Sequence, residues 1–184
     1  MIPEPEMPSA ERDPIGPTTD EGTGLAATAP GPDPPDVATQ VEEAFEELDV
    51  DAPLVGVVMG SKSDVPMMER AGEELERRGI RHETRVMSAH REPDVVADYA
   101  KNAKMRGLRV IIAGAGLAAA LPGVVAANTE LPVVGVPLTS ENSVAGGLDA
   151  LLAIAQMPPG VPVACVAVNG ARNAAVLAAR IIQG

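Results

Sequence analysis

The chain has 184 residues, which suits one domain with or without a tail, and it carries a formal net charge of −12. The acidity is concentrated at the N-terminus, because residues 1–51 hold 14 acidic residues and one basic residue, whereas the remaining residues have a net charge of +1. A nearly neutral body gives no reason to expect nucleic acid or a membrane as partner, and the acidic segment would be repelled by both.

The N-terminal segment is predicted to lack a folded core. Residues 1–35 contain nine prolines and no apolar periodicity, which is typical of a disordered tail. Residues 36–48 start at a potential N-cap, Asp36, and continue with apolar residues at helical spacing. We therefore expect a short amphipathic helix and linker over 36–52, which either docks on the body or a neighbouring subunit or stays solvated and partly formed.

From residue 53 onward, strand and helix patterns alternate to the end of the chain. Five strands are predicted, at 54–59, 80–87, 108–114, 132–138 and 161–168. A helix is predicted after each strand, at 64–78, 93–106, 118–128, 146–156 and 171–182. Unalternated, β-branched strands that alternate with helices indicate an α/β fold, a flavodoxin-like doubly wound three-layer sandwich with a five-stranded parallel sheet.

Composition constrains the core, the cofactors and the compartment. With 46% hydrophobic residues, one Tyr, one Phe and no Trp, the core must be built from Val, Ile, Leu, Ala and Met. The single cysteine, Cys165, lies in the fifth strand and is interpreted as a buried small hydrophobe rather than a reactive thiol. No Cys/His cluster indicates a metal, and neither a signal peptide nor a membrane span is predicted, so we expect a cytoplasmic protein.

In doubly wound sheets, ligands bind beyond the carboxyl ends of the strands. The first such segment, MGSKSD at 59–64, leads into a helix N-terminus, where free N–H groups and the helix dipole favour an anion. Gly60 would let the backbone approach a ligand, and Ser61 and Ser63 offer hydroxyl donors. Asp64 fits either a plain N-cap or a carboxylate that accepts from ribose hydroxyls. The pattern is neither a Walker loop nor G-x-G-x-x-G, so nucleoside triphosphates and dinucleotides are not indicated.

The second segment, SAHREP at 88–93, follows the second predicted strand. As a residue type, histidine titrates near neutrality, so His90 suits proton transfer, and Arg91 suits bidentate binding of phosphate or carboxylate. The other histidine, His82, lies inside the strand and is interpreted as a surface or packing residue. A third segment, AGAGLAAALPG at 113–123, consists of small residues that serve either close approach to a ligand or tight packing. A fourth segment to search is 138–146, after the fourth strand.

These motifs, in this order, resemble the phosphoribosylaminoimidazole carboxylase family, which includes N5-carboxyaminoimidazole ribonucleotide mutases. The resemblance runs from about residue 54 to 182 and extends through GLDALLAIAQMPPGVPVA at 147–164. It implies a flavodoxin-like subunit of a homo-octamer with sites near subunit junctions, a small ribonucleotide substrate, and no metal or organic cofactor. It further implies de novo purine biosynthesis, in which the carbamate of the substrate loses carbon dioxide and the ring carbon is then carboxylated.

The resemblance also assigns residues. The family's active histidine maps to His90, which would protonate the departing nitrogen and later remove the ring proton. Nucleotide contacts map to Ser61 and Arg91 for the phosphate and to Asp64 for the ribose. The remaining predicted substrate-binding residues are Gly60, Ser63, Ser88, Ala89, Gly114, Ala115, Gly116 and Leu121.

Two positions depart from the pattern of bacterial members. Bacterial mutases usually have a second histidine where this chain has Ala120, and a glycine where it has Leu117. The variant resembles archaeal members of the family. It leaves open whether the carboxyl donor is the carbamate, as in a mutase, or free carbon dioxide, as in a direct carboxylase. A non-catalytic nucleotide-binding subunit is a third hypothesis, against which the retained Ser61–Asp64 and His90–Arg91 pairs argue. A flavin-binding module is disfavoured because the chain lacks the aromatic residues that sandwich an isoalloxazine.

Overall fold

The computed structural model describes residue 36 and residues 52–184, so the tail predicted over 1–35 and the helix predicted over 36–48 lie outside the described residues except for Asp36. The strands are β1 Val55–Met59, β2 His82–Val86, β3 Val110–Gly116, β4 Val133–Leu138 and β5 Ala164–Cys165. The helices are α1 Val65–Arg77, α2 Pro93–Asn102, α3 Ala120–Ala127, α4 Leu148–Ala155 and α5 Ala171–Gln183. In the part of the chain that the structure describes, no helix combines the length and apolar character needed to span a membrane.

All five strands are parallel and lie in the order β2-β1-β3-β4-β5. This is the strand order of the flavodoxin-like sandwich, and the predicted fold class is confirmed. In register, Val55 of β1 lies between His82 of β2 and Val110 of β3. From β1 the chain adds β2 on one side of the sheet, and from β3 it adds β4 and β5 on the other side. The topological switch point therefore lies between β1 and β3.

Alternate residues of β1 face two separate cores. Val55, Val57 and Met59 pack with α1 and α5, whereas Val58 belongs to the core formed with α2, α3 and α4. The fully buried residues of α5 are all alanine: Ala171, Ala174, Ala175, Ala178 and Ala179. With only a methyl group at each of these positions, the α5 backbone can lie close to its neighbours without leaving voids.

The fifth strand is shorter than predicted. Its ladder with β4 covers only Ala164–Cys165, against a prediction of 161–168. Further along, the Asn169 N–H donates to the carbonyl of Pro137 in β4 at 2.8 Å. In an extended strand the nitrogen and carbonyl of one residue point to the same side. Because Pro137 has no N–H to donate on the side of β5, the ladder cannot continue past this point.

The turn that leads into α4 holds three successive residues in the left-handed region. Their φ angles are 47° at Ala145, 66° at Gly146 and 98° at Gly147. The Asp149 carboxylate accepts a hydrogen bond from the Val144 N–H at 3.0 Å and closes the turn. Of the three residues, only Ala145 carries a β-carbon, so the steric strain of this turn falls on it.

Replacing Ala145 with glycine should raise the free energy of unfolding by about 1 kcal/mol, because glycine adopts a positive φ without steric strain. Ala153 provides the matched control, since it is exposed but lies inside α4. There the same substitution should lower the free energy of unfolding by about 0.5–1 kcal/mol. Chemical denaturation measures both changes, and a loss of stability at both positions would contradict the strain at Ala145.

A charged network ties β2 to the end of α2. The Glu83 carboxylate accepts from the Tyr99 hydroxyl at 2.9 Å and from the guanidinium groups of Arg106 at 2.6 Å and Arg85 at 3.3 Å. Burial alone would raise the pKa of Glu83, but the hydrogen bonds from Tyr99 and Arg106 and the charge of Arg106 outweigh it and hold the pKa below 4.5. Burial, reinforced by the Glu83 carboxylate, raises the pKa of Tyr99.

We expect this network to stabilise the fold at neutral pH and to lose its contribution in acid. Because folding lowers the pKa of Glu83, its contribution is present above the unfolded pKa and disappears as the pH falls through the folded pKa. Glu83→Gln should therefore lower the free energy of unfolding at about pH 7, with a difference from wild type that shrinks below about pH 4.5. Urea denaturation across this range measures the effect, and a difference independent of pH would contradict it.

Candidate active site

A cavity of about 370 Å³ opens at the carboxyl ends of β1 to β4. Its walls come from the segments that follow these strands, within 60–64 after β1, 88–91 after β2, 115–121 at the end of β3, and 139–140 after β4. Because these strands are neighbours in the order β2-β1-β3-β4, the four segments follow one another across the mouth of the cavity. The cavity therefore lies at the switch point, where the sequence predicted a ligand site.

The segment after β1 forms a single 3-10 turn, Lys62–Asp64, before α1 begins. The Ser61 Oγ caps this turn and accepts hydrogen bonds from the Ser63 N–H at 3.3 Å and the Ser63 hydroxyl at 2.9 Å. Since the Ser61 oxygen accepts twice, its own hydroxyl hydrogen is left for a ligand. A β-carbon added at Gly60 would meet only the Asp64 carboxylate, at 4.0 Å, so this glycine leaves open space beside the turn.

Asp64 stands at the N-cap position of α1 but makes no capping hydrogen bond with its side chain. One reason is Pro66, which occupies the second position of the helix and has no N–H to donate. The carboxylate instead lines the cavity. Burial raises the pKa of Asp64, opposed by a hydrogen bond from the backbone of Ser61. This arrangement favours a ligand-binding carboxylate over the plain helix cap.

The segment after β2 carries His90 and Arg91. The turn is fixed by Ser88, which is buried and whose Oγ accepts from the Arg91 N–H at 3.3 Å. The Arg91 Nη2 donates to the Gly60 carbonyl at 2.8 Å and so joins this turn to the one after β1. That bond uses one of the five N–H donors of the guanidinium, which leaves the others for an anion. The exposed His90 side chain lies on the same wall of the cavity.

The wall formed at the end of β3 is apolar and consists of Ala115, Gly116, Leu117, Ala118, Ala119, Ala120 and Leu121. Leu117 has a φ of 57° and Ala119 a φ of 29°, both in the left-handed region. The turn is closed by a hydrogen bond from the Ala119 N–H to the Gly116 carbonyl at 3.0 Å. Strained backbone of this kind concentrates at functional sites. The positive φ at Leu117 also gives a physical reason why a glycine suits this position.

The predicted site residues lie together at this cavity, with one exception. Gly114 does not line it. A β-carbon at Gly114 would collide with the Met68 side chain and come within 3.1 Å of Leu138, so this glycine serves close packing beneath the cavity. Sequence reasoning singled out the segment 138–146 but no residue in it, and so missed Thr139 and Ser140, which line the wall after β4. Their signal was two hydroxyl residues directly after a buried strand.

The fold and the cavity together define a flavodoxin-like α/β protein with a loop-built cavity whose lining suits a polar ligand. The segments after β1 and β2 form a polar wall with serine hydroxyls, a carboxylate, an imidazole and a guanidinium, and the neighbouring wall at the end of β3 is apolar. Among the described residues, no group of three or more His, Cys, Asp or Glu side chains is placed to hold a metal ion.

The chain belongs to the AIR carboxylase family, whose family model matches residues 54–184. An N5-carboxyaminoimidazole ribonucleotide mutase of Thermotoga maritima is 58% identical over 130 residues, which are 71% of this chain and 75% of that protein. A mutase of the same name from Saccharolobus solfataricus is also 58% identical over 130 residues, covering 71% of this chain and 81% of that protein. The crystal structure of Treponema denticola PurE superposes with a TM-score of 0.63 at 33% identity and covers 71% of this chain and 80% of that chain.

Proposed function

We propose that this protein is an N5-carboxyaminoimidazole ribonucleotide mutase of de novo purine biosynthesis. The observation that carries the proposal is that one cavity is lined both by Ser61, Asp64, His90 and Arg91 and by a wall of small apolar residues. An isomerisation of this kind needs an anchored nucleotide, a confined carbon dioxide molecule and one relocated proton. The two walls supply groups for each requirement. The mutases of Thermotoga maritima and Saccharolobus solfataricus, both 58% identical to this chain, support it.

The proposed chemistry moves one carboxyl group and one proton within the substrate. The bond between the carbamate nitrogen and its carboxyl carbon breaks, and carbon dioxide leaves as protonated His90 gives its proton to the nitrogen. The ring carbon then attacks the trapped carbon dioxide, and neutral His90 takes the proton from that carbon. Histidine ends in its starting state, so no external acid, base or oxidant is consumed.

The polar wall fits the task of anchoring the nucleotide. Arg91 and Ser61 are proposed to hold the phosphate, because a guanidinium and a free hydroxyl hydrogen are donors suited to phosphate oxygens. The Asp64 carboxylate, free of capping bonds, is proposed to accept from the ribose hydroxyls. The hydrogen bond from Arg91 to the Gly60 carbonyl sets the spacing between these groups before any ligand arrives.

The apolar wall fits the task of confining carbon dioxide. Alanine and leucine side chains offer the gas no hydrogen bond and no nucleophile, and they exclude water that would carry it away. General acid–base catalysis by one histidine supplies about 10²–10⁴-fold in rate. Positioning and enclosure must therefore supply the rest of the acceleration.

We further propose that residues 53–184 are the catalytic domain of a cytoplasmic homo-octamer, with residues 1–35 and 36–52 as appendages. Support comes from α4, a helix that is apolar on its outer as well as its inner face. Leu148 is 44% exposed, Leu152 45%, and Val144 in the preceding turn 66%. Apart from Asp149, whose carboxylate closes the preceding turn, the helix is apolar all round, and such a helix is normally buried all round. Light scattering on the full chain should give an octameric mass, and a monomer would contradict this assembly.

Direct carboxylation of aminoimidazole ribonucleotide by carbon dioxide is the second candidate. The observation that favours it is Ala120, which leaves the apolar wall without the second histidine of bacterial mutases. A protein named phosphoribosylaminoimidazole carboxylase, from Vigna aconitifolia, is 57% identical over 129 residues, 70% of this chain but 23% of that protein.

Two assays on the full chain separate these functions. In one, the purified protein receives the carbamate substrate alone, and in the other it receives aminoimidazole ribonucleotide with bicarbonate, with product absorbance followed in both. We expect fast turnover of the carbamate. Turnover of only the ribonucleotide with bicarbonate would show that the protein is a direct carboxylase. If neither substrate is turned over, the protein is a non-catalytic nucleotide-binding subunit.

A further inference from the structure

Asn169 and Thr139 form a two-bond clasp between the segments that follow β4 and β5. The Thr139 N–H donates to the Asn169 Oδ1 at 3.1 Å, and the Asn169 Nδ2 donates to the Thr139 Oγ1 at 2.8 Å. Thr139 lines the cavity together with its neighbour Ser140, whereas Asn169 does not. The clasp therefore holds a wall of the active-site cavity from behind.

The direction of each bond in the clasp follows from chemistry alone. A backbone N–H can only donate, so the Asn169 atom that faces the Thr139 nitrogen must be the amide oxygen. The other end of the amide is then the NH₂ group, which can only donate, so the Thr139 hydroxyl oxygen accepts from it. The hydroxyl hydrogen of Thr139 is not used in the clasp. It is free to be donated to a ligand.

The backbone of Asn169 is built to hold this position. Its φ of 57° places it in the left-handed region, which Asn tolerates better than most residues with a β-carbon. Its N–H donates to the Pro137 carbonyl at 2.8 Å, two residues before Thr139 in the chain. The ladder between β4 and β5 has already ended at this point. Asn169 thus replaces regular strand pairing at the level of the cavity.

We propose that Thr139 is a substrate-binding residue that donates its hydroxyl hydrogen to an acceptor oxygen of the ribonucleotide, and that Asn169 is its positioning residue. The proposal rests on the function proposed above. It adds a polar contact on the far side of the apolar segment 115–121 from Ser61 and Arg91. A substrate that spans the cavity is then held at both ends.

Three single variants test the clasp by the KM of the carbamate and by calorimetric binding of aminoimidazole ribonucleotide. Thr139→Val keeps the shape of the side chain without the hydroxyl and should raise both KM and Kd about 3- to 10-fold, the effect of one hydrogen bond. Thr139→Ser keeps the hydroxyl and should stay within about twofold of wild type. The kcat of both variants should change little, since the contact is made equally before and during the reaction.

Asn169→Asp is the most specific variant. An aspartate still accepts from the Thr139 N–H and tolerates the left-handed backbone, so the clasp persists. It cannot donate, however, so the Thr139 hydroxyl must turn its hydrogen toward the carboxylate and away from the ligand. We expect KM and Kd to rise as in Thr139→Val while the thermal midpoint stays near that of wild type. The double variant Thr139→Val with Asn169→Asp should be no weaker than Thr139→Val alone, because both changes remove the same bond.

The outcomes separate this proposal from the proposed function. Wild-type KM and Kd in Thr139→Val, or effects of Thr139→Val and Asn169→Asp that add, would overturn the clasp while leaving the function intact. Binding of the ribonucleotide without turnover would remove the proposed function, and the Kd values would still decide the clasp. A wild-type chain that neither turns over nor binds the ribonucleotide would overturn both.

Discussion

His90→Asn should lower kcat for the carbamate substrate by about 10²–10⁴-fold, with a much smaller change in KM. Asparagine matches the imidazole in size and polarity but does not titrate, so only the shuttled proton is lost. Because His90 is exposed on the rim of the cavity, the fold should survive the substitution. The thermal midpoint of the variant checks that it does, and steady-state kinetics measure the rate.

The matched control is His82→Gln, at the only other histidine of the chain. His82 begins β2, at the edge of the sheet opposite the cavity, and packs beside Gly72 of α1. This variant should keep the kcat of wild type even if its stability changes. Equal losses in the two variants would show that the assay reports folding, and a His90→Asn protein with wild-type kcat would remove His90 from the mechanism.

Met68→Ala should lower the free energy of unfolding by about 2–5 kcal/mol, because Met68 is completely buried and its truncation opens a cavity. Gly114→Ala should lower it by about 1–3 kcal/mol for the opposite reason, since the new methyl group overpacks the contact with Met68. Chemical denaturation measures both. These are the largest effects on stability that the contacts around the site predict.

The double variant decides what Gly114 does. The methyl group added at Gly114 occupies space vacated in Met68→Ala, so the loss in the double variant should be smaller than the sum of the two single losses. Folded Gly114→Ala protein should keep the KM of wild type, because residue 114 does not line the cavity. A raised KM with unchanged stability in Gly114→Ala would instead show that Gly114 belongs to the substrate site.

Much of the fold could be predicted because strand burial leaves a direct pattern in the sequence. The runs at 54–59 and 132–138 contain β1 and β4, and the run at 108–114 covers β3 except for its last two residues. Every residue of these three strands is buried except Gly116. The order of the three central strands could not be predicted, because β1, β3 and β4 carry the same buried apolar pattern whatever their neighbours. The length of β5 was overestimated, since the residue that ends its ladder, Pro137, belongs to a different strand.

The sequence predicted those site residues that stand together in one short segment. It did not predict roles that depend on contacts between distant parts of the chain. Ser61, Asp64, His90 and Arg91 stand in short segments whose residue types reveal a ligand site, and the structure places them around one cavity. The sequence could not show that Gly114 packs beneath the cavity, because a glycine that faces a neighbouring methionine looks the same in sequence as one that faces a substrate. Thr139 carries a local signal, a hydroxyl residue directly after a buried strand, but its hydrogen bonds with Asn169 could not be predicted because the two residues lie 30 positions apart.

The alanine face of α5 determines which experiments can report on that side of the molecule. Alanine scanning maps a core by removing side-chain atoms, and the buried positions of α5 have none to remove beyond the β-carbon. An alanine scan would therefore show no effect along this helix, although the helix covers β3 and β4 and packs against α1. Substitutions that enlarge the side chain, such as Ala175→Val, are the ones that would disturb the interface. Mutational sensitivity on this face depends on added volume rather than on lost contacts.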